Sequence, residues 1–431
     1  MKQAKRVLSK LYVWIAGDSR AARGAFHLTV GLAALIITVS HRPDSLLNPQ
    51  FWAEDGRVWY ADAYNLGAFY SLFKPEAGYF QTVSRLVASI AQILPFAFAP
   101  LFFNICAIAI KVAVVNFVVS SRMSHAVSSL SARLFLAFIY LALPHSFETT
   151  ANLTNAQWHL AFLAFLVIVA TPAKSAFWKI FDTFVIVLSA LSGPFCILLL
   201  PIAVINYYVT RKKRLAVLIG IIAAGSIIQV TSLMFFERPS RQPLGASIEL
   251  LAKIIGGHLF VNSIFGDGVY RRLIINGWWN VFTASAVSMA GVAMMVYGFI
   301  RGHLELRLFI GFSLLIVVAA LGSPTISDAV PQWTAMWPER VGSRYWLIPI
   351  SCFLATLLSL GYRSSSKMLR ISFCVLLGLS IIGILGDWRH PRFIDLQFPA
   401  HAANFQRAST GQEVIIPINP NWEMRLIKKE N

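Results

Sequence analysis

FCILLLPIAVINYYVTRKKRLAVLIGIIAAGSIIQVTSLMF, from Phe195 to Phe235, holds two apolar runs with Arg211-Lys212-Lys213-Arg214 between them. A helix crosses the ~30 Å hydrocarbon core with about 20 apolar residues. Four adjacent cations cannot lie in hydrocarbon, so they mark a loop, and loops rich in Lys and Arg stay on the cytoplasmic side. The stretch therefore predicts a transmembrane hairpin with its turn inside.

The same reading extends along the chain. Of 431 residues, 57% are hydrophobic and 13% charged. A soluble globular chain carries about twice that charge, so a water-soluble enzyme, a disordered chain and a coiled coil are excluded. Apolar runs fall near 25–40, 98–120, 131–144, 157–171, 178–192, 194–210, 215–236, 279–300, 307–322, 345–361 and 370–386. The expected fold is an all-α polytopic membrane protein of about 11 transmembrane helices, spanning 1–386, with a short outer tail at 387–431. Gly193-Pro194 marks a tight hairpin or a helix break. The four cysteines sit singly in apolar runs, without metal-ligand or disulfide-framework spacing.

Charge supports this map. The net charge is +18. The segments placed inside hold 19 basic residues and three acids, whereas the outer ones hold 17 basic residues and 16 acids. Scattered clusters of this kind orient a membrane protein and argue against a nucleic-acid partner. Residues 82–95 (TVSRLVASIAQILP) are the exception to simple counting. As a span they would invert everything downstream. They fit better as an amphipathic helix on the outer surface, with Leu86, Val87, Ile90, Ile93 and Leu94 on one face and Ser84, Arg85 and Gln92 turned away.

The outer segments 41–97, 237–278, 323–344 and 387–431 carry most of the non-membrane mass. Three polar clusters stand out there. In the first outer loop, Glu54-Asp55-Gly56 leads into a short juxtamembrane helix with Trp59, Tyr60 and Tyr64 as interfacial aromatics. Asp55 is either a helix cap or, beside Glu54, a general base. Tyr79 and Arg85 of the same loop are candidate substrate contacts. The second cluster, PHSFETTANLTNAQWHL (Pro144–Leu160), places Glu148, Asn152, Asn155, Gln157 and Trp158 at an outer connection. Amides and an indole suit sugar hydroxyls and ring faces. His145 and His159 there read as structural histidines. In the third, Arg340 and Arg344 lie outside, against the positive-inside bias. Either Glu339, anionic lipid headgroups or a substrate phosphate would account for them. For Arg271 and Arg272 lipid contact is at least as good an account.

Together, the multi-span layout, the AEDG stretch (Ala53–Gly56) in the first outer loop and the outer arginines resemble the GT-C membrane glycosyltransferases. Within that class the chain is most similar to bacterial enzymes that decorate O-antigen or other surface glycans. It lacks the large C-terminal soluble domain of several members. The resemblance implies a multi-pass protein of the bacterial inner membrane with its active site facing the periplasm. It implies transfer of a sugar, with inversion, from a polyprenyl-phosphate carrier to a glycan or glycolipid acceptor. Asp55 would then be the base, Glu54 would orient it or share the role, and Arg344 or Arg340 would hold the phosphate. No cofactor is required; adjacent acids permit a divalent metal without demanding one. An O-antigen-type polymerase or ligase is the alternative within lipid-linked sugar chemistry. A non-enzymatic transporter or flippase would need ionisable groups deep in several spans, and only Lys111 and Asp182 qualify, both placed near an inner end.

Overall fold

The computed structural model describes residues 20–236, 242–338 and 341–430. Each apolar run forms a helix. Among the described residues, eight helices are long and apolar enough, by length and composition alone, to cross a membrane: Ala21–His41, Phe96–Val119, Lys213–Phe235, Ile248–Ile275, Val281–Arg301, Leu304–Gly322, Ser343–Arg363 and Lys367–Gly386. The chain is thus a multi-pass, predominantly helical membrane protein. The expected eleven spans are not reached by length. Leu130–Leu141, Ala156–Val169, Ala176–Ala190 and Phe195–Thr210 have 12, 14, 15 and 16 residues, or roughly 18 to 24 Å of rod.

Ile248–Ile275 was expected to be loop, because polar residues such as His258, Asn262 and Asp267 interrupt its apolar pattern. It is no straight rod. Ile255–Val261 forms a π-helical turn, and Gly266 (φ 75, ψ 173) breaks the helix. Beyond the break the chain doubles back. A Cβ on Gly257 would lie 2.3 Å from the Tyr270 ring, whereas straight helix would hold these residues about 20 Å apart.

The helix Ala156–Val169 is buried along its whole length, as a helix apolar on every side must be. Its phenylalanines stack on the helix Leu304–Gly322, Phe165 on Phe309 at 5.0 Å and on Phe312 at 5.4 Å. One end of this central helix carries the 144–155 turn. The connections sort to two ends of the bundle. At one end Arg122 grips Asp182 through both oxygens at 2.5 and 2.9 Å, Arg214 bonds the Lys179 carbonyl, and His125 meets Glu305. This is the basic end. The acid-bearing loops gather at the other.

Thr82–Ala91 is a ten-residue helix, too short to span. Val83, Ser84, Arg85 and Ala88 face the protein, and Leu86 and Ile90 are exposed, the orientation expected of a surface helix. Its start is pinned to the 191–193 break: Thr82 N donates to Leu191 O, and Gly193 N to Phe80 O. Gly193 has φ +85, and a Cβ there would strike Gln157 Oε1 at 2.2 Å, so glycine is required.

Two expectations about the outer loop and tail are corrected. Trp59 and Tyr60 are not interfacial: both are buried in protein. The π-helical turn Asp55–Tyr60 rotates them inward, away from the face an α-helix would give them. The tail is more than an extended segment, and the chain is not purely α. Phe398–Arg407 is a helix, and Glu413–Ile418 pairs antiparallel with Trp422–Ile427. These pieces share a core with the first loop, in which Phe51, Tyr60 and Phe96 pack with Phe398, Phe405 and Ile418.

Reporter fusions test the two-ended layout. One at Arg363 and one after Glu430 should report opposite faces, because the helix Lys367–Gly386 lies between them. The same face for both would remove that helix as a span.

Candidate functional site

The 144–155 turn organises the loop end. Buried backbone must find hydrogen-bond partners, and within this turn nearly every residue is buried. Side chains from other segments supply many of them. Asp55 Oδ2 accepts from Leu153 N at 3.0 Å, and Oδ1 accepts from Thr154 N at 2.7 Å and Thr154 Oγ1 at 2.8 Å. Trp59 Nε1 donates to the same hydroxyl at 3.0 Å. Arg42 Nη1 donates to Thr150 O at 3.2 Å, and Lys111 Nζ to Thr150 Oγ1 at 3.4 Å. Lys111 therefore reaches the loop-end turn instead of lying near the basic end.

The turn also bonds to itself and onward. Asn155 Nδ2 donates to Glu148 O at 2.9 Å, and Asn152 Nδ2 donates to the same carbonyl. Glu148 accepts from Gly342 N and Arg344 N, both at 3.0 Å, and pairs with the Arg344 guanidinium at 3.4 Å. The acidic partner of Arg344 is thus Glu148. Glu339 and Arg340 lie outside the described residues. Arg344 Nη2 also donates to Thr325 O at 3.0 Å, and the guanidinium sits over the Tyr345 ring at 4.7 Å. Trp158 packs edge-on against Tyr345 and Phe195. Gln157 Nε2 donates to Thr154 O, while its Oε1 is buried without a partner.

The two adjacent acids differ sharply. Asp55 is 1% exposed. Burial pushes its pKa up to about 7, against the pull of the Leu153 and Thr154 donors. Both of its carboxylate oxygens are spent on a turn 98 and 99 residues away, and the N-cap position of its own helix is Glu54, which makes no side-chain cap bond, so the cap reading fails. Glu54 is half-buried and makes no side-chain hydrogen bond among the described residues. Ala53, at φ 46, sets the backbone bend that separates Glu54 from the buried strand of contacts; its N–H is held by Asn419 O. Glu54 lies within electrostatic reach of Arg344 and of Glu76. Burial raises the Glu76 pKa, partly offset by Arg85.

The remaining candidates divide. Arg85 is fully buried, pairs with Asp62 at 3.1 Å and lies 5.0 Å over Trp59, so it supports the loop from behind. Tyr79 sits half-buried on a short bridge with Glu76. Arg271 and Arg272 are exposed, beyond the break at Gly266. Among the described residues no three His, Cys, Asp or Glu side chains converge on a metal position.

One cluster escaped the sequence. His145 Nδ1 meets Asp267 at 2.5 Å, His145 Nε2 meets His258 Nδ1 at 3.2 Å, and His258 Nε2 meets Met336 O at 2.9 Å. Asp387 accepts from the Asp267 and His145 amides. Three links between acceptor ends need three protons, and two neutral imidazoles carry only two. The chain therefore holds one further proton, on an imidazole or on Asp267. Burial lowers the His145 pKa but Asp267 outweighs it, for a net rise. Burial and the Asp267 charge raise that of Asp387. A buried histidine was the available signal, but the cluster draws on three other segments distant in sequence, at 258–267, 336 and 387.

Compared with known proteins, the chain matches no protein-family model and no curated protein.

The Asp55 geometry makes a stability prediction. Asp55→Asn puts an amide NH₂ against at least one backbone N–H and should cost ~1.5–3 kcal/mol, read as a lowered unfolding midpoint in detergent. A helix cap would tolerate the change with little loss, so an unchanged midpoint would remove the clamp.

Proposed function

We propose that the chain is an inverting glycosyltransferase that takes a sugar from a polyprenyl-phosphate carrier at the outer face of a bacterial inner membrane. What carries the reading is Glu54, a half-buried carboxylate without a side-chain hydrogen bond among the described residues, beside a neighbour fixed by three donors. A general base needs a lone pair to offer and a fixed position to offer it from. Glu54 has the first, and Asp55 gives the second. Of the two acids, we assign the base to Glu54 and make Asp55 the positioning residue.

In this reading Glu54 takes the proton from an acceptor hydroxyl. That oxygen attacks the anomeric carbon from the face opposite the phosphate. The bond from that carbon to the phosphate oxygen breaks, and the lipid monophosphate leaves with the electron pair. Arg344, with 21% of its side chain exposed, supplies positive charge where the leaving phosphate gathers negative charge. Glu148 aims it and Tyr345 supports its plane. Trp158, buried edge-on against Tyr345, backs this pair. The acceptor is a surface glycan or glycolipid.

Glu54→Gln should lower transfer from a polyprenyl-phosphate hexose ~10²–10⁴-fold in proteoliposomes while leaving the unfolding midpoint near wild type. Activity within a fewfold of wild type would return the role to Asp55 or to Glu76. Arg344→Lys should lower kcat at least as much as it raises the donor KM, because a point charge replaces a planar fork at the phosphate that gains charge in the transition state. Unchanged donor kinetics in folded Arg344→Lys would leave the guanidinium a purely internal role with Glu148.

A further inference from the structure

A cavity of about 260 Å³ opens at the basic end, away from the Glu54 site. It lies between the helices Leu130–Leu141, Ala156–Val169, Leu304–Gly322 and Leu347–Arg363. Along the last of these it runs from Arg363 to Ser351, or about 18 Å of helix. Its inner walls are Leu136, Phe162, Phe165, Leu166 and Phe309. A slot this long and this apolar fits a hydrocarbon chain.

Its mouth is built differently. Arg133 lines it and is 7% exposed. Among the described residues its one side-chain hydrogen bond is from Nη1 to Ser120 O at 2.8 Å. Nε is buried without a partner, and no carboxylate pairs with the guanidinium among the described residues. A buried cation without an anion is costly. His125, His303 and Arg363 share the mouth. The single acid there, Glu305, is already taken by His125 at 3.1 Å and His303 at 3.8 Å. The mouth therefore carries more cationic groups than its one acid can pair, in front of an apolar slot. Basic pockets between helices at the cytoplasmic side suit anionic headgroups.

We propose that this cavity binds one anionic phospholipid of the leaflet at the basic end, with its phosphate on Arg133 and one acyl chain along Phe162 and Phe309. The site is separate from the sugar-transfer site and does not depend on it.

Native mass spectrometry of delipidated protein tests this, with phosphatidylglycerol and the phosphate-free diacylglycerol of identical chains as probes. Wild type should retain one phosphatidylglycerol, at least about tenfold in preference to diacylglycerol, the size expected of one charge-assisted contact. Arg133→Gln should erase the preference, and Arg133→Lys should keep part of it. Should Arg133→Gln not fold, Leu136→Trp, which fills the slot and leaves the arginine, should release the lipid. Equal retention of the two lipids, or a preference unchanged in Arg133→Gln, would overturn the proposal. So would displacement by undecaprenyl phosphate at lower concentration, which would make the occupant a carrier lipid. Displacement by inorganic phosphate alone would mark a free-anion site and overturn it equally.

Discussion

The loop end depends on a carboxylate doing what water does elsewhere. A polar turn sealed among membrane helices has no solvent to hydrogen-bond its amides, and each orphaned group costs free energy. Asp55 meets this need for Leu153 and Thr154, as Glu148 does for Gly342 and Arg344. Each bond ties together segments that the chain keeps far apart. Remove the Asp55 bonds and the first loop loses its hold on the central helix. Remove those of Glu148 and the start of the helix Leu347–Arg363 is freed from the turn.

In the proposed mechanism this division of labour accounts for two neighbouring acids. A carboxylate that accepts three donors is an anchor, with its lone pairs turned to the protein and away from a substrate. One without donors is reactive but unplaced. Adjacent residues on a π-helical turn combine the two, since the buried acid fixes the backbone from which the freer one projects. Arg344 shows the same economy, with its guanidinium shared between Glu148, the Thr325 carbonyl and the Tyr345 ring, so that its charge is aimed by protein contacts.

The sequence made the helices legible because hydrocarbon demands long apolar runs and leaves little ambiguity. It also located the three polar clusters and the surface helix at 82–95, whose two faces are plain in its spacing. What it could not give was pairing. Asp55 reads as a cap because a cap is the local use for an acid at a helix start, while its real partner lies 99 residues on, at Thr154. Trp59 and Tyr60 read as interfacial because an α-helical wheel was assumed where the backbone makes a wider π-turn. Ile248–Ile275 read as loop because its polar residues face one another across a break at Gly266, a fold-back that periodicity does not encode.

The tail gives the molecule an order of assembly. The first loop cannot close its own core: Phe51, Tyr60 and Phe96 need Phe398, Phe405 and Ile418, and Asn65 bonds Arg425 and Ile427, with 360 residues between Asn65 and Arg425. A ribosome delivers the loop early and its partner only after the later helices have been inserted. Until then the loop presents an unfilled aromatic surface, open to chaperones and proteases. Completion of the candidate site therefore waits on completion of the bundle. A chain with a misinserted helix would bring its tail to the wrong side of the membrane and leave the site unbuilt.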